Sequence, residues 1–345
     1  MTFENEPSSQ TGNAAGPPSA ATPAIAPNPA IAAHRKRNLV HTVALIIGLG
    51  VLVAASSILL LGWPGGLVTV VAMGGLLALS PRVPPEMVMR LYGARPIDPA
   101  LAGRLDDVLA LLQERAGLPV RPRLYVVPSM TLNAFATGTP QRAAIAITEG
   151  LLRRLSLRET VAVLAHEVSH IKNGDLAILG FADIMTRFTF LLSYMAVILA
   201  LVNGLAVLVG DPTFPWTAIG LLYLAPTVSS LLQLALSRAR EYDADRGAVE
   251  LTGDAVGLGS ALRRIERYAG HFWEDLMYPV PARRVPQPSL LRTHPSTSER
   301  IARLIELQGR AQTPTLIVNE GPRVSLVGLG PMAMQPRYRF LGLWY

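Results

Sequence analysis

Hydrophobic positions along this chain fall into two kinds of run. Some stretches are apolar without a break, and others alternate apolar and polar residues at helix or strand spacing. Residues 39–61 contain no Asp, Glu, Lys or Arg, and at about 1.5 Å per residue they can cross the ~30 Å hydrocarbon layer of a bilayer. Gly62, Trp63, Pro64, Gly65 and Gly66 read as a turn with an interfacial aromatic, after which residues 67–79 return. Residues 188–209 and 216–236 are again free of formal charge and are separated by Gly210, Asp211, Pro212 and Pro215. The pattern predicts four transmembrane helices in two hairpins, residues 34–81 and 176–236.

The segment between the hairpins, residues 82–175, has the patterning of a water-facing domain. Residues 101–116 place apolar side chains at helical spacing, with Arg104, Asp106, Asp107, Glu114 and Arg115 on the other face. Residues 124–127 and 143–148 read as strands, joined through Asn133, Ala134, Phe135, Ala136, Thr137 and Gly138. Ser156 followed by Glu159 is a capping-box signature, and Asn173 with Gly174 is a stop signal, so a helix is predicted from Ser156 towards Lys172. A third soluble stretch, residues 237–310, follows the second hairpin.

Composition sharpens this picture. Half the residues are hydrophobic, 6% are aromatic and only 16% are charged, against roughly 25% charged in soluble domains. The excess is aliphatic, as in lipid-facing helices. The net charge of +7 is explained by where the charges lie. Arg35, Lys36, Arg37, Arg82, Arg90, Arg187, Arg238 and Arg240 fall on one side of the hairpins, while both hairpin turns lack Lys and Arg. The positive-inside rule then puts the termini and large loops in the cytoplasm and removes the need for a nucleic-acid partner. Residues 1–33, rich in Ala and Pro, read as a disordered tail and not as a secretory signal. With no cysteine, thiol chemistry and cysteine-ligated metal are excluded, and any metal must be held by His, Asp or Glu.

His166, Glu167, Val168, Ser169 and His170 spell HExxH on the predicted helix. Spacing i to i+4 puts both imidazoles on one face, where each can direct a nitrogen at one metal, while Glu167 is rotated about 100° towards the edge of that face, suited to a general base. Two of the chain's 6 histidines are spent here. Catalytic zinc takes three protein ligands and keeps a position for water. After the fourth apolar run, Glu241 and Asp245 share a helical face, so that one carboxylate can bind metal and the other accept a hydrogen bond from a ligand histidine. Spacing alone does not rank the two.

The stretches NAFATG (133–138), LAHEVSHIKNGD (164–175), SRAREYDADRGAVELTG (237–253) and THPSTSERIARL (293–304), together with the two hairpins, resemble the HtpX-type membrane zinc metalloproteases, relatives of the CAAX prenyl proteases. The similarity spans roughly residues 35–308. It implies an α-helical membrane protein with an α+β, zincin-like metalloprotease domain on the cytoplasmic side. It further implies one Zn2+ per chain on His166, His170 and Glu241, Glu167 as base, Asp245 behind a ligand, and His294 and Arg238 near the cleft. Asn133, with Ala134 and Phe135, would begin an edge strand along which an extended substrate lies. The expected activity is hydrolysis of peptide bonds in polypeptides, membrane proteins among them, as quality control under stress at the bacterial cytoplasmic membrane. Residues 311–345 have no counterpart in the resemblance. Competing readings are a prenyl-protein protease, an intramembrane protease and a zinc-binding scaffold without activity. Glu159, Lys172, Asn173 and Asp175 flank HExxH too closely for an intramembrane motif, and Glu167 would be superfluous in a structural site.

Overall fold

The structure is a computed structural model that describes residues 29–79, 84–97, 103–210, 214–276, 297–308 and 314–316. Two units divide the chain, Met1–Leu39 and Val40–Tyr345; in the first, residues 29–39 are helical. Residues 1–28 of the expected tail, most of residues 311–345, and His294 lie outside the described residues; residues 29–33 of that tail belong to the helical stretch.

Helix α1, Pro29–Leu79, is interrupted at Gly62, whose φ of 71° and ψ of −175° are left to glycine. A straight helix would carry Met73 about 30 Å beyond Val53. Instead Met73 packs against the cluster that contains Leu49 and Val53. The chain doubles back so tightly that a β carbon on Gly66 would lie 2.3 Å from Cγ1 of Ile58. The turn expected at 62–66 therefore shows up as a break inside one helical element. Among the described residues, 3 helices are long and apolar enough to cross a membrane: Leu39–Gly75, Asp175–Leu208 and Trp216–Thr252.

A short α2, Pro85–Leu91, leads into β1, Arg95–Pro96, and then α3, Arg104–Ala116, which Gly117 closes in the left-handed conformation. Strands β2, Arg123–Val127, β3, Ala134–Thr139, and β4, Arg142–Thr148, complete a four-stranded sheet of order β1-β2-β4-β3. β2 and β4 run parallel and the other pairs antiparallel, which leaves β3 at an edge. Residue composition had marked 133–138 only as a connection; small alanines hide its strand character, but Ala134 pairs with Ile147 and Thr139 with Arg142.

Alternation on the strands divides the sheet into two faces. Val126, Ala134, Ala136, Ile145 and Ile147 meet Leu105, Leu109 and Leu112 of α3 and, beyond them, the helices described next. Tyr125, Val127, Ala144 and Ala146 face Met89 of α2. After α4, Glu149–Arg154, comes α5, Leu157–Asn173, which is buried over nearly its whole circumference. α6, Asp175–Val209, and α7, Trp216–Thr252, form the second long hairpin. α8, Ala255–Leu276, and α9, Thr297–Gln308, pack behind α5 and α7. α7 runs without a break from the apolar span into the soluble region, past the boundary expected at residue 236. Its 37 residues rise about 55 Å, well beyond a ~30 Å bilayer core.

Candidate metal centre

The capping box that the sequence predicts starts α5. The Ser156 hydroxyl accepts the Glu159 N–H, and the Glu159 carboxylate accepts the Ser156 N–H at 2.8 Å. Gly174, φ 69°, ends the helix and turns the chain directly into α6. Leu164, Ala165 and Val168 sit in the core at 0% exposure, so the rotation of α5 is fixed and His166, Glu167 and His170 are delivered to one buried face against α7.

There the two Nε2 atoms of His166 and His170 are 3.1 Å apart. Glu241 on α7 brings Oε2 to 3.4 Å from His166 Nε2 and Oε1 to 3.5 Å from His170 Nε2. An ion with ~2.1 Å bonds to tetrahedral ligands needs donor atoms about 3.3–3.4 Å apart. Carboxylates stand behind the opposite ring nitrogens: His170 Nδ1 is hydrogen-bonded to Asp175 Oδ2 at 2.8 Å, and His166 Nδ1 lies 3.1 Å from Asp245 Oδ1 without the alignment of a hydrogen bond. Carboxylates there hold the proton on Nδ1 and leave both Nε2 lone pairs facing the same point.

Charge makes the same case. Glu167, Asp175, Glu241 and Asp245 are buried beside two buried cations, Arg240 and Arg300; Asp243, which also touches Arg240, is matched by Arg246. Among the described residues the site gathers four carboxylates and two guanidiniums, surroundings that favour a divalent cation beside two neutral histidines. Buried charge must be compensated. Without the ion, burial alone would lower the histidine pKa values. The contacts with Asp245 and Glu241 outweigh it and raise that of His166, and those with Asp175 and Glu241 raise that of His170 well above its ordinary value. The residues therefore fit a divalent ion on a His2Glu set.

Three contributors went unassigned in the sequence. Asp175, at 0% exposure, is brought behind His170 by the Gly174 turn. Arg240 bonds Asp175 through Nε at 2.5 Å. Arg300 on α9 forms a fork with Asp245, with bonds of 2.7 and 2.5 Å, and reaches Glu241 Oε2 at 3.3 Å. Burial opposes its charge, but Asp245, then Glu241 and Glu167, hold it protonated above its ordinary range. The available signal was an arginine four residues before Leu304 on an otherwise apolar face of α9. Arg238, expected near the cleft, is exposed on α7, and Arg300 brings a guanidinium to Glu241 and Asp245.

The expected substrate strand divides by face. Ala134 points to the α5 side, whereas Phe135 packs with Tyr92 at a ring distance of 4.7 Å on the α2 side. Phe135 is half-buried there, on the face opposite Ala134. Asn133 ties its main chain to Thr148 by bonds of 3.0 Å, while its side-chain Oδ1 is buried with no hydrogen-bond partner among the described residues.

The family description "Peptidase family M48" matches residues 99–308. A "Protease HtpX homolog" of Paraburkholderia phytofirmans is 40% identical over 233 residues, covering 64% of this chain and 80% of that protein. Another, of Methylibium petroleiphilum, is 34% identical over 281 residues, covering 78% of this chain and 98% of that protein. Among solved structures, S. mikatae Ste24p aligns with a TM-score of 0.45 and 21% identity, over 79% of this chain and 66% of that one.

Proposed function

The chain belongs to peptidase family M48 and is a metalloprotease, and from this premise we propose that it is a zinc endopeptidase anchored in the bacterial cytoplasmic membrane, cleaving membrane-protein substrates on the cytoplasmic side in quality control. The observation that carries the reading is the buried trio His166, His170 and Glu241, with donor atoms 3.1 to 3.5 Å apart. The name "Protease HtpX homolog" borne by the relatives agrees with it. Support for the orientation comes from the arginines and lysine that flank the apolar runs and are absent from both turns. On this reading the two arms of α1 each cross the bilayer, giving four spans.

The roles follow from position. His166, His170 and Glu241 hold the ion, with Asp245 and Asp175 setting the ring orientations. Zinc held there supplies Lewis acidity, which polarises a carbonyl and acidifies water. Glu167, next to the first ligand, takes a proton on its carboxylate and hands it to the departing amine. The open edge of β3 offers main-chain groups to an extended peptide, as in strand addition, and the Asn133 amide stands ready at its start. Arg300 keeps positive charge close to Glu241 and Glu167. His294, six residues before Arg300 in sequence, is retained as a donor to the developing oxyanion.

Purification in detergent with metal quantification and a casein cleavage assay tests the proposal. About one zinc per chain and cleavage abolished by a chelator are expected. A chain that takes up no metal and cleaves regardless of chelator overturns it.

A further inference from the structure

Arg240 stands one residue before Glu241 on α7, is buried, and is not one of the three donors. Its guanidinium faces three other groups. Nε donates to Asp175 Oδ1 at 2.5 Å, and Nη1 donates to Asp243 Oδ2 at 3.1 Å and to Thr42 Oγ1 at 3.4 Å. Asp175 opens α6 and gives its second oxygen to His170 Nδ1 at 2.8 Å. Thr42 lies on α1 in the first apolar run and is itself 2% exposed. A continuous line of polar contacts therefore runs from a donor on α5, through the first residue of α6 and the Arg240 turn of α7, to α1.

The chemistry of each link gives the line direction. A buried carboxylate held only by one imidazole is free to rotate; a guanidinium on its other oxygen fixes its plane. A fixed Asp175 fixes the tautomer and ring angle of His170, and so the aim of its Nε2. The planar fork of arginine can serve Asp175, Asp243 and Thr42 together, whereas a lysine is a point charge without that geometry. Because Glu241 is the next residue on the same helix turn, α7 presents one donor itself and braces the support of another.

We propose that Arg240 is a positioning residue for His170 and that, through Thr42, it couples the seating of α1 to the affinity of the metal site. The inference rests on reading His166, His170 and Glu241 as the ligands. The test uses the full chain in detergent, stripped of metal and titrated with Co2+ for its d–d spectrum and with Zn2+ in competition with a chromophoric chelator. Arg240→Lys is expected to weaken metal binding about 10- to 100-fold, the range for loss of such support, and to alter the cobalt spectrum. Thr42→Val, which keeps shape and removes one hydroxyl, is expected to weaken it about 2- to 10-fold, the worth of one hydrogen bond. In both variants the rise in melting temperature on adding metal should shrink, while metal-free Thr42→Val melts close to the parent.

An Arg240→Lys protein with parental elution and circular dichroism that keeps the parental affinity and spectrum overturns the positioning role. So does a loss of melting temperature equal in the metal-free and loaded forms. Parental affinity in Thr42→Val overturns the coupling to α1. Should Arg240→Lys fail to fold, Asp175→Asn carries the first arm, and an unchanged affinity there has the same meaning. A parent that takes up no metal refutes the ligand reading itself and is told apart from all of these.

Discussion

Gly247 on α7 passes so close to Ser169 on α5 that a β carbon on the glycine would lie 2.0 Å from the serine hydroxyl oxygen. This crossing lies one residue from the His170 donor and two from Asp245, so the interhelical distance that sets the donor spacing is set here. Gly247→Ala must push the helices apart. Overpacking of this kind costs about 1–3 kcal/mol, and a shift near 1 Å costs about 100-fold in rate. Melting temperature and turnover should both fall, and Ser169→Gly in the same chain should recover part of each. An alanine variant with parental activity would mean that the crossing does not set the site.

Glu167→Gln keeps the shape and the three donors but removes the proton acceptor. Peptide cleavage should fall about 100- to 10,000-fold while metal content stays near that of the parent. Metal analysis and a cleavage assay on the same preparation check both halves. Retained activity would take Glu167 out of the mechanism.

The two carboxylates of α7 separate by measurement. Glu241→Ala removes a donor, and metal affinity should collapse. Asp245 needs a gentler probe, because its fork with Arg300 is buried and Asp245→Ala would leave that guanidinium with Glu241 as its remaining ion-pair partner among the described residues, a break in a buried ion pair of the kind that costs up to about 3–5 kcal/mol. Asp245→Asn is expected to lower metal affinity about 10- to 100-fold and to melt above Asp245→Ala. Zinc competition and thermal melts give the order; an empty Asp245→Asn beside a loaded Glu241→Ala would reverse the assignment.

Acid stability should depend on Asp254. Burial pushes its pKa up, but bonds from Arg158 at 2.6 and 2.7 Å and from the Gly257 N–H at 2.9 Å bring it below the ordinary value. A carboxyl lowered by folding contributes stability above its unfolded pKa, about 3.9, and loses that contribution as pH falls through the folded value. Asp254→Asn should therefore melt below the parent at pH 7, and the gap should narrow below about pH 4. A gap constant with pH would contradict this account.

Topology reporters address the four-span reading. Fusions after Ala33, Arg90 and Gln308 should report the cytoplasm, and an insertion at Asp211 should report export. Export at Arg90 would mean that the second arm of α1 does not cross.

What the sequence disclosed depended on how local each signal was. The α5 helix was readable because its cap, its stop and its two histidines all lie within one stretch ending at Gly174, and Glu241 with Asp245 announced a shared face by spacing. Asp175, Arg240 and Arg300 were not readable, since each matters only for a partner on another helix: His170, Asp175 and Asp245 respectively. β3 escaped a reading from composition because Ala134 and Ala136 lack the branched side chains that mark strands. Phe135 was assigned to a substrate strand without regard to face, and period-two alternation placed its ring beneath α2.

α7 is long and apolar enough to cross a membrane and also carries Glu241, which would make it a lever as well as a ligand arm. Trp216 to Glu241 spans about 38 Å of helix rise, so a tilt of about 3° at its far end displaces the carboxylate by roughly 2 Å. Helices accommodate bilayers of different thickness by tilting. The hydroxyl contact of 2.9 Å between Thr186 and Ser229 fastens α7 to α6 midway, so that the pair must tilt together, and Asp175 travels with it. With α7 seated in a bilayer, hydrophobic thickness, set by acyl-chain length or by the detergent chosen, would enter the catalytic geometry alongside metal and pH.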